Sequence, residues 1–252
     1  MEPRLITLSI SPFNELGRWS LEWAGVGYRE EPKALVQHVL ASRRVGGSGT
    51  TPVLVTDGEV IGESVEIAEW ADRHALPQRR LYPEGPDGDE VRAIVKRFAE
   101  ELGPASRRVI WHDLIDDLDL VCRSWQQGLN PRQARFQRVA TRLAKRPMRQ
   151  AMKLWPEELE AAPGIVRAHF DEVAQRIARG GRIVGDSVSA ADIAFAAMAS
   201  PAVLPPEGYP VSLPQPDEFS EEVAATIREL REHPAGQYAL RMYREERVVR
   251  DA

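Results

Sequence analysis

Apolar and polar positions change period several times along the chain, and the changes mark its elements. Leu5, Ile6, Leu8 and Ile10 form a short β-prone run that stops at Ser11-Pro12. Phe13, Leu16, Trp19 and Trp23 then recur at helical spacing, with the serine as cap and the proline at the first helical position. Gly25 and Gly27 end that helix. Residues 28–31 predict a second strand. Residues 33–42 predict a second helix with Leu35, Val36, Val39 and Leu40 turned inward, followed by a glycine-rich basic loop at 43–50. Two apolar runs, 53–55 and 60–61, flank Asp57-Gly58, a hairpin signal because such turns favour residues that tolerate positive φ. A third helix is predicted over 64–74. The order β-α-β-α-β-β-α needs one parallel pairing with a crossover and ends in an antiparallel hairpin, hence a mixed sheet.

Residues 79–89, RRLYPEGPDGD, are rich in proline and glycine and predict a linker. Beyond them the period is helical. Val91, Ile94, Val95, Phe98, Leu102, Ala105 and Val109 share one face, with a kink predicted at Gly103-Pro104. A helix over 114–125 starts in an acidic cluster. The basic segment 132–149 predicts an amphipathic helix with Phe136, Val139, Ala140 and Leu143 inside and arginines outside. Another helix covers 165–177 and stops at Gly180-Gly181. Ser189 with Asp192 is a capping-box variant, with Val188 and Ile193 placed as its hydrophobic staple. An irregular proline-rich connection is expected over 201–216, then two helices separated at His233-Pro234, the last running through Arg247. The expected organisation is an α/β domain over 1–78, a linker over 79–88 and an all-α helical bundle over 89–252.

Composition narrows the classes. Of 252 residues 43% are apolar and 28% charged, and the net charge is -5. A general nucleic-acid binder needs a basic surplus for phosphate contacts, so the basic 132–149 segment reads as a solvated helix face. No apolar run reaches the roughly 18 to 20 residues of a membrane span, and the first residues lack the regions of a signal peptide, so a cytoplasmic protein is expected. Cys122 is the only cysteine, which excludes an internal disulfide, a cysteine zinc site and a CxxC pair. It falls on an apolar helix face and is expected to be buried. No metal is expected, since the acidic cluster at 115–119 has only His112 near it.

Four short motifs stand in order within the first 75 residues: Ser11-Pro12-Phe13, Thr51-Pro52-Val53-Leu54, Asp57-Gly58 and Glu63-Ser64. Together they resemble the thioredoxin-like domain of glutathione transferases, and the helical remainder resembles that family's second domain. The resemblance implies glutathione as co-substrate. Pro52 would be cis, with Thr51, Pro52 and Val53 presenting main-chain groups to the cysteinyl backbone, a small case of β-augmentation. Glu63 and Ser64, at a helix start, would hold the γ-glutamyl end, and Arg43 or Arg44 the glycyl carboxylate. Ser11 would stabilise the thiolate through its hydroxyl and the helix dipole. The cysteine of thiol-exchange relatives is missing at position 11, so the site is of a serine type. Asn14 falls where redox relatives carry a second cysteine and is a further candidate donor; Ser9 is a competing hydroxyl. Ser11 and Glu63-Ser64 also read as plain helix caps, and Thr51-Pro52 as a plain strand start. Three functions therefore stay open: attack of the glutathione thiol on an apolar electrophile, reductive cleavage through glutathione, and a non-catalytic binding or scaffold role. A homodimer is also implied. The helical part is longer than the family's usual second domain, with the excess at 113–163.

Overall fold

A computed structural model describes residues 2–247. The first part of the chain runs β1 (Arg4–Thr7), α1 (Pro12–Trp23), β2 (Arg29–Pro32), α2 (Gln37–Arg44), β3 (Val53–Val55), β4 (Val60–Ile61) and α3 (Ser64–His74). The strands form a mixed sheet in the order β2-β1-β3-β4. β1 pairs parallel to β2, with Leu5 opposite Glu30, and antiparallel to β3, with Leu5 opposite Leu54. This is the expected thioredoxin-like topology. Leu5, Leu21, Leu54, Ile61, Ile67 and Trp70 close the core between the sheet and α1 and α3.

Three local readings change. β1 ends at Thr7, before the apolar run does, because the carbonyls of Leu8 and Ser9 are taken by side chains of α1 instead of by a strand. The hairpin forms at Asp57-Gly58, but neither residue takes a positive φ. The Thr56 N–H donates to Glu59 O, and the Thr56 hydroxyl accepts from the Glu59 N–H, so a threonine closes the turn. α2 starts later than its apolar pattern, after Val36 at φ 70, a left-handed conformation that costs a β-branched residue. Leu35 is buried as expected, whereas Val36 and Leu40 are exposed.

The remainder is helical: α4 (Pro86–Arg97), α5 (Gly103–Leu114), α6 (Leu118–Trp125), α7 (Pro131–Ala151), α8 (Pro156–Gly180), α9 (Ala190–Val203), α10 (Glu221–Glu232) and α11 (Pro234–Glu245). α4 and α5 are joined by a π-helical turn over Phe98–Leu102. Pro104 lacks an N–H, and a wider turn just ahead of it accommodates the missing rung, which accounts for the break predicted there. α9 is buried at every residue and rich in alanine, and α1, α4, α5, α10 and α11 all pack on it. It continues through Pro201 to Val203, so the irregular connection begins later than expected. Cys122 is buried, as its apolar face predicts.

Of the apolar positions expected inside α7 only Ala140 is buried. Phe136, Val139 and Leu143 are exposed, and the inner face carries Gln137, Ala140, Thr141 and Met148. The buried Leu35 N–H needs an acceptor there, and Gln137 Oε1 supplies it at 2.6 Å while its Nε2 donates to Thr141. The Gln137 contact spares that buried amide the cost of having no partner.

The start of α9 is held by Asp192, which has no exposed surface. Its carboxylate accepts from the Ser189 N–H and hydroxyl at 2.8 Å, from the Ile183 N–H at 3.0 Å and from the Tyr238 hydroxyl. Asp192→Ala leaves these buried donors without an acceptor, and the expected loss of stability is about 2–4 kcal/mol. Urea unfolding measures it; a loss below about 0.5 kcal/mol contradicts this role for Asp192.

Candidate functional site

The segment between β1 and α1 is fixed by side chains that follow it in α1. Arg18, almost fully buried, donates through Nη2 to Leu8 O at 3.0 Å and to Ser9 O at 3.3 Å. Its Nε and Nη2 also bond Glu30 Oε1 at 2.8 and 2.6 Å. Behind it stands Glu15, fully buried, 3.6 Å from Arg18 Nη1 and 2.7 Å from Arg247 Nε. Arg247 also reaches Glu22. Burial pushes the Glu15 carboxyl above the usual carboxylate range, and Arg247 and Arg18 pull against it. Four charged side chains of the α/β part and one residue from the far end of the chain thus set the path of residues 8–11.

Beside that segment lies a cavity of about 590 Å³ between the α/β part and the helical part. Ser11, Pro12, Phe13, Thr50, Thr51, Pro52, Glu63 and Ser64 line it from one side, and Ile110, Trp111, Trp125, Met148 and Met152 from the other. Tyr209 and Leu213, from the connection after α9, complete the wall.

Five sequence-predicted residues meet here. Ser11 caps α1, but its Oγ accepts the Asn14 N–H at 3.5 Å, long for a hydrogen bond. The Thr51-Pro52 peptide is cis. Glu63 stands at the N-cap of α3 with no cap bond from its side chain, and its carboxyl is raised by burial and then by Glu66. Ser64, the first residue of α3, is buried. The first-turn N–H groups of a helix have no partner within it, so this end favours a carboxylate.

Four other candidates lie elsewhere. Asn14 is fully buried, donates to Leu8 O at 2.9 Å and does not line the cavity. Ser9 donates to Gln127 O at 2.5 Å, which ties the segment to the loop between α6 and α7. Val53 is buried in β3 opposite Ile6, behind the cavity wall. Arg43 is exposed at the end of α2, with Nε 3.2 Å from where a Cβ on Gly49 would stand, and is not a lining residue.

Three lining residues were not signalled by any motif. His38 has a buried Nδ1 without a hydrogen-bond partner, and burial holds its imidazole below the ordinary histidine range. The Tyr209 hydroxyl donates to Ser11 O at 3.4 Å, and burial raises its pKa. Arg107 of α5 has its Cζ 5.9 Å from the Phe13 ring centre, and burial and the neighbouring Arg108 push its guanidinium down to about 10. A lone polar position in a helical pattern carries no signal of the cavity it will face. Among the described residues no cluster of three or more His, Cys, Asp or Glu is placed to hold a metal ion. No helix among them is long and apolar enough to cross a membrane.

Residues 5–78 match the family model of the glutathione S-transferase N-terminal domain. Against curated protein sequences the chain finds no match. Among solved structures it is similar to a glutathione S-transferase from Sinorhizobium meliloti 1021, at 18% identity over 95% of this chain and 92% of that one, TM-score 0.59. It is similar to a glutathione S-transferase from Methylobacillus flagellatus with glutathione bound, at 16% identity over 94% and 98%, TM-score 0.56. A third is Ure2p5 from Phanerochaete chrysosporium, cocrystallised with 1-(S-glutathionyl)-2,4-dinitrobenzene, at 16% identity over 97% and 96%, TM-score 0.57. These identities establish a common fold.

A histidine with a depressed native pKa binds its proton less readily than the unfolded chain does, so its contribution to stability is lost as pH falls through about 6.5. The expected NMR titration midpoint of the His38 ring, assigned with His38→Gln, lies below 6.5. A midpoint at or above 6.5 contradicts the half-buried placement, in which burial outweighs the backbone contact to Ala34.

Proposed function

We propose that the cavity binds glutathione and activates its thiol for attack on an electrophilic small molecule. The observation that carries this reading is the convergence of Ser11, Thr51-Pro52 and Glu63-Ser64, distant in sequence, on one cavity whose opposite wall is apolar. An extended tripeptide laid along Thr51-Pro52 pairs main chain to main chain, and Val53, predicted to share in this, stays behind the wall. Its γ-glutamyl carboxylate then meets the Ser64 hydroxyl and the first N–H groups of α3. At the glycyl end the cavity offers His38, while Arg43 stands outside it and would have to swing inward.

The sulfur falls near Ser11. The long contact to Asn14 leaves the Ser11 hydroxyl hydrogen available to donate to the thiolate, and the start of α1 adds its partial positive charge. Both favour the charged form and lower the thiol pKa. The thiol proton passes to solvent, the thiolate attacks an activated carbon of the acceptor, and the carbon–sulfur bond forms as the bond from that carbon to its leaving group breaks; with 1-chloro-2,4-dinitrobenzene the leaving group departs as chloride. Trp111, Trp125, Met148 and Met152 exclude water around it and receive the apolar part of the acceptor. The dinitrobenzene conjugate held by Ure2p5 is a product of this form. The reading carries with it a division into a glutathione-binding domain over 1–78, a linker over 79–88 and an acceptor domain over 89–252. On the family resemblance it extends to a cytoplasmic homodimer.

The chain is expected to be retained on immobilised glutathione and eluted by the free tripeptide; absence of binding at millimolar glutathione contradicts the reading. In Ser11→Ala the pKa of the bound thiol is expected to rise by about one unit, since one unit corresponds to about 1.4 kcal/mol, the scale of one charge-assisted hydrogen bond. Turnover of 1-chloro-2,4-dinitrobenzene at pH 6.5 then falls about tenfold with little change in glutathione affinity. Unchanged turnover contradicts the role given to Ser11.

A further inference from the structure

Arg107 is the charged side chain that the proposed chemistry does not use. It enters the cavity from α5, beside Phe13 at the start of α1, and its Nε is buried with no hydrogen-bond partner. Its neighbour Arg108 pairs with Glu158 at 3.2 Å, whereas no described carboxylate lies within 4.0 Å of Arg107. Glu63 is the carboxylate in the cavity wall, and it makes no ion pair with Arg107. Around Arg107 the acceptor wall is built from Ile110, Trp111, Leu114 and other apolar side chains.

Burying a cation without a counter-ion is unfavourable, and proteins pair such charges or keep them neutral. A guanidinium stays charged at neutral pH even with its pKa lowered to about 10. A half-buried arginine in the mostly apolar helical wall, with no described carboxylate in reach, therefore suits an anion, and its flat fork matches a carboxylate. The dipole at the start of α1 adds to the attraction.

We propose that the acceptor taken up by this cavity is an apolar molecule bearing a carboxylate, which Arg107 binds while the aromatic and aliphatic wall holds the rest. This deepens the reading of the cavity as a glutathione site and rests on it. An electrophile so anchored presents its apolar body toward Trp111 and Trp125, with the anion at the Phe13 end where α1 begins.

The test compares 4-phenylbutyrate with 4-phenylbutyramide by isothermal titration against the full chain saturated with glutathione. The acid is expected to bind at least about tenfold tighter than the amide, the scale of a charge-assisted hydrogen bond in a poorly hydrated site. Arg107→Gln is expected to bring the two ligands within about twofold of each other, and Arg107→Lys to keep part of the preference. Equal binding of acid and amide by the unmodified chain overturns the proposal without recourse to any variant. A preference for the acid that survives in Arg107→Gln, with the variant's thermal midpoint unchanged, overturns it as well. So does a result in which Arg107→Gln slows conjugation of an uncharged electrophile by raising the pKa of the bound thiol, since Arg107 then serves the sulfur. If glutathione binds and the acid shows no advantage, the anion site fails while the glutathione reading stands. If glutathione does not bind and the acid still does through Arg107, the glutathione reading fails and the anion site stands.

Discussion

The path of the chain into α1 depends on one buried guanidinium, that of Arg18, holding the carbonyls of Leu8 and Ser9. Those carbonyls lie just beyond β1, where no strand satisfies them, and their position fixes where Ser11 begins α1. Arg18 is itself held by Glu30 at the parallel strand and by Glu15 one turn earlier on α1. Glu15 is shared with Arg247. Removing any member of such a group leaves another charge buried without compensation, which is why single losses in buried ion networks are costly. The arrangement also explains how the end of the helical part bears on the site: Arg247 reaches across 232 positions to Glu15 and, through it, to the segment that presents Ser11.

The cavity follows from how the two parts are stitched. Ser9 bonds the loop after α6, Gln137 of α7 caps the Leu35 amide, and Tyr209 touches the Ser11 carbonyl. At the other side Asp72 of α3 accepts the N–H groups of Leu81 and Tyr82, and Leu81 O accepts from Ala190 at the start of α9. α9, small-residued and buried all round, lets both α1 and α5 pack against it. Between these ties the facing walls are apolar on the helical side and polar at the start of α1 and α3. A surface divided in this way suits a peptide on one side and an apolar molecule on the other.

The fold was legible because its signals are local. Ser11-Pro12, the two valine-rich runs around Asp57-Gly58, and Ser189 with Asp192 each specify a turn, cap or strand within a few residues. Five of the cavity-lining residues were legible for the same reason, since Ser11, Thr51, Pro52, Glu63 and Ser64 sit at element boundaries. What escaped is what long-range contacts decide. The inner face of α7 carries Gln137, which meets the amide of Leu35 about a hundred positions away in the chain, and not the stripe Phe136, Val139 and Leu143. The Asp57-Gly58 hairpin was found for a reason that does not apply, because Thr56 closes it without positive φ. Asn14 stands in the right turn of α1 but is drawn to the Leu8 carbonyl. His38 and Arg107 sit in or beside helices whose patterns say nothing of the cavity they line, whereas Tyr209 falls in the proline-rich 201–216 connection, whose irregularity already marked it as a pocket wall.

The central claim is that the segment held by Arg18 and the starts of α1 and α3 together form a glutathione site. A crystal structure of the chain with glutathione tests it most directly. The account predicts the cysteinyl main chain paired with Thr51, the γ-glutamyl carboxylate at Ser64, and the sulfur within hydrogen-bond distance of Ser11 Oγ. A tripeptide bound elsewhere, or one in this cavity with its sulfur turned away from Ser11, would contradict it.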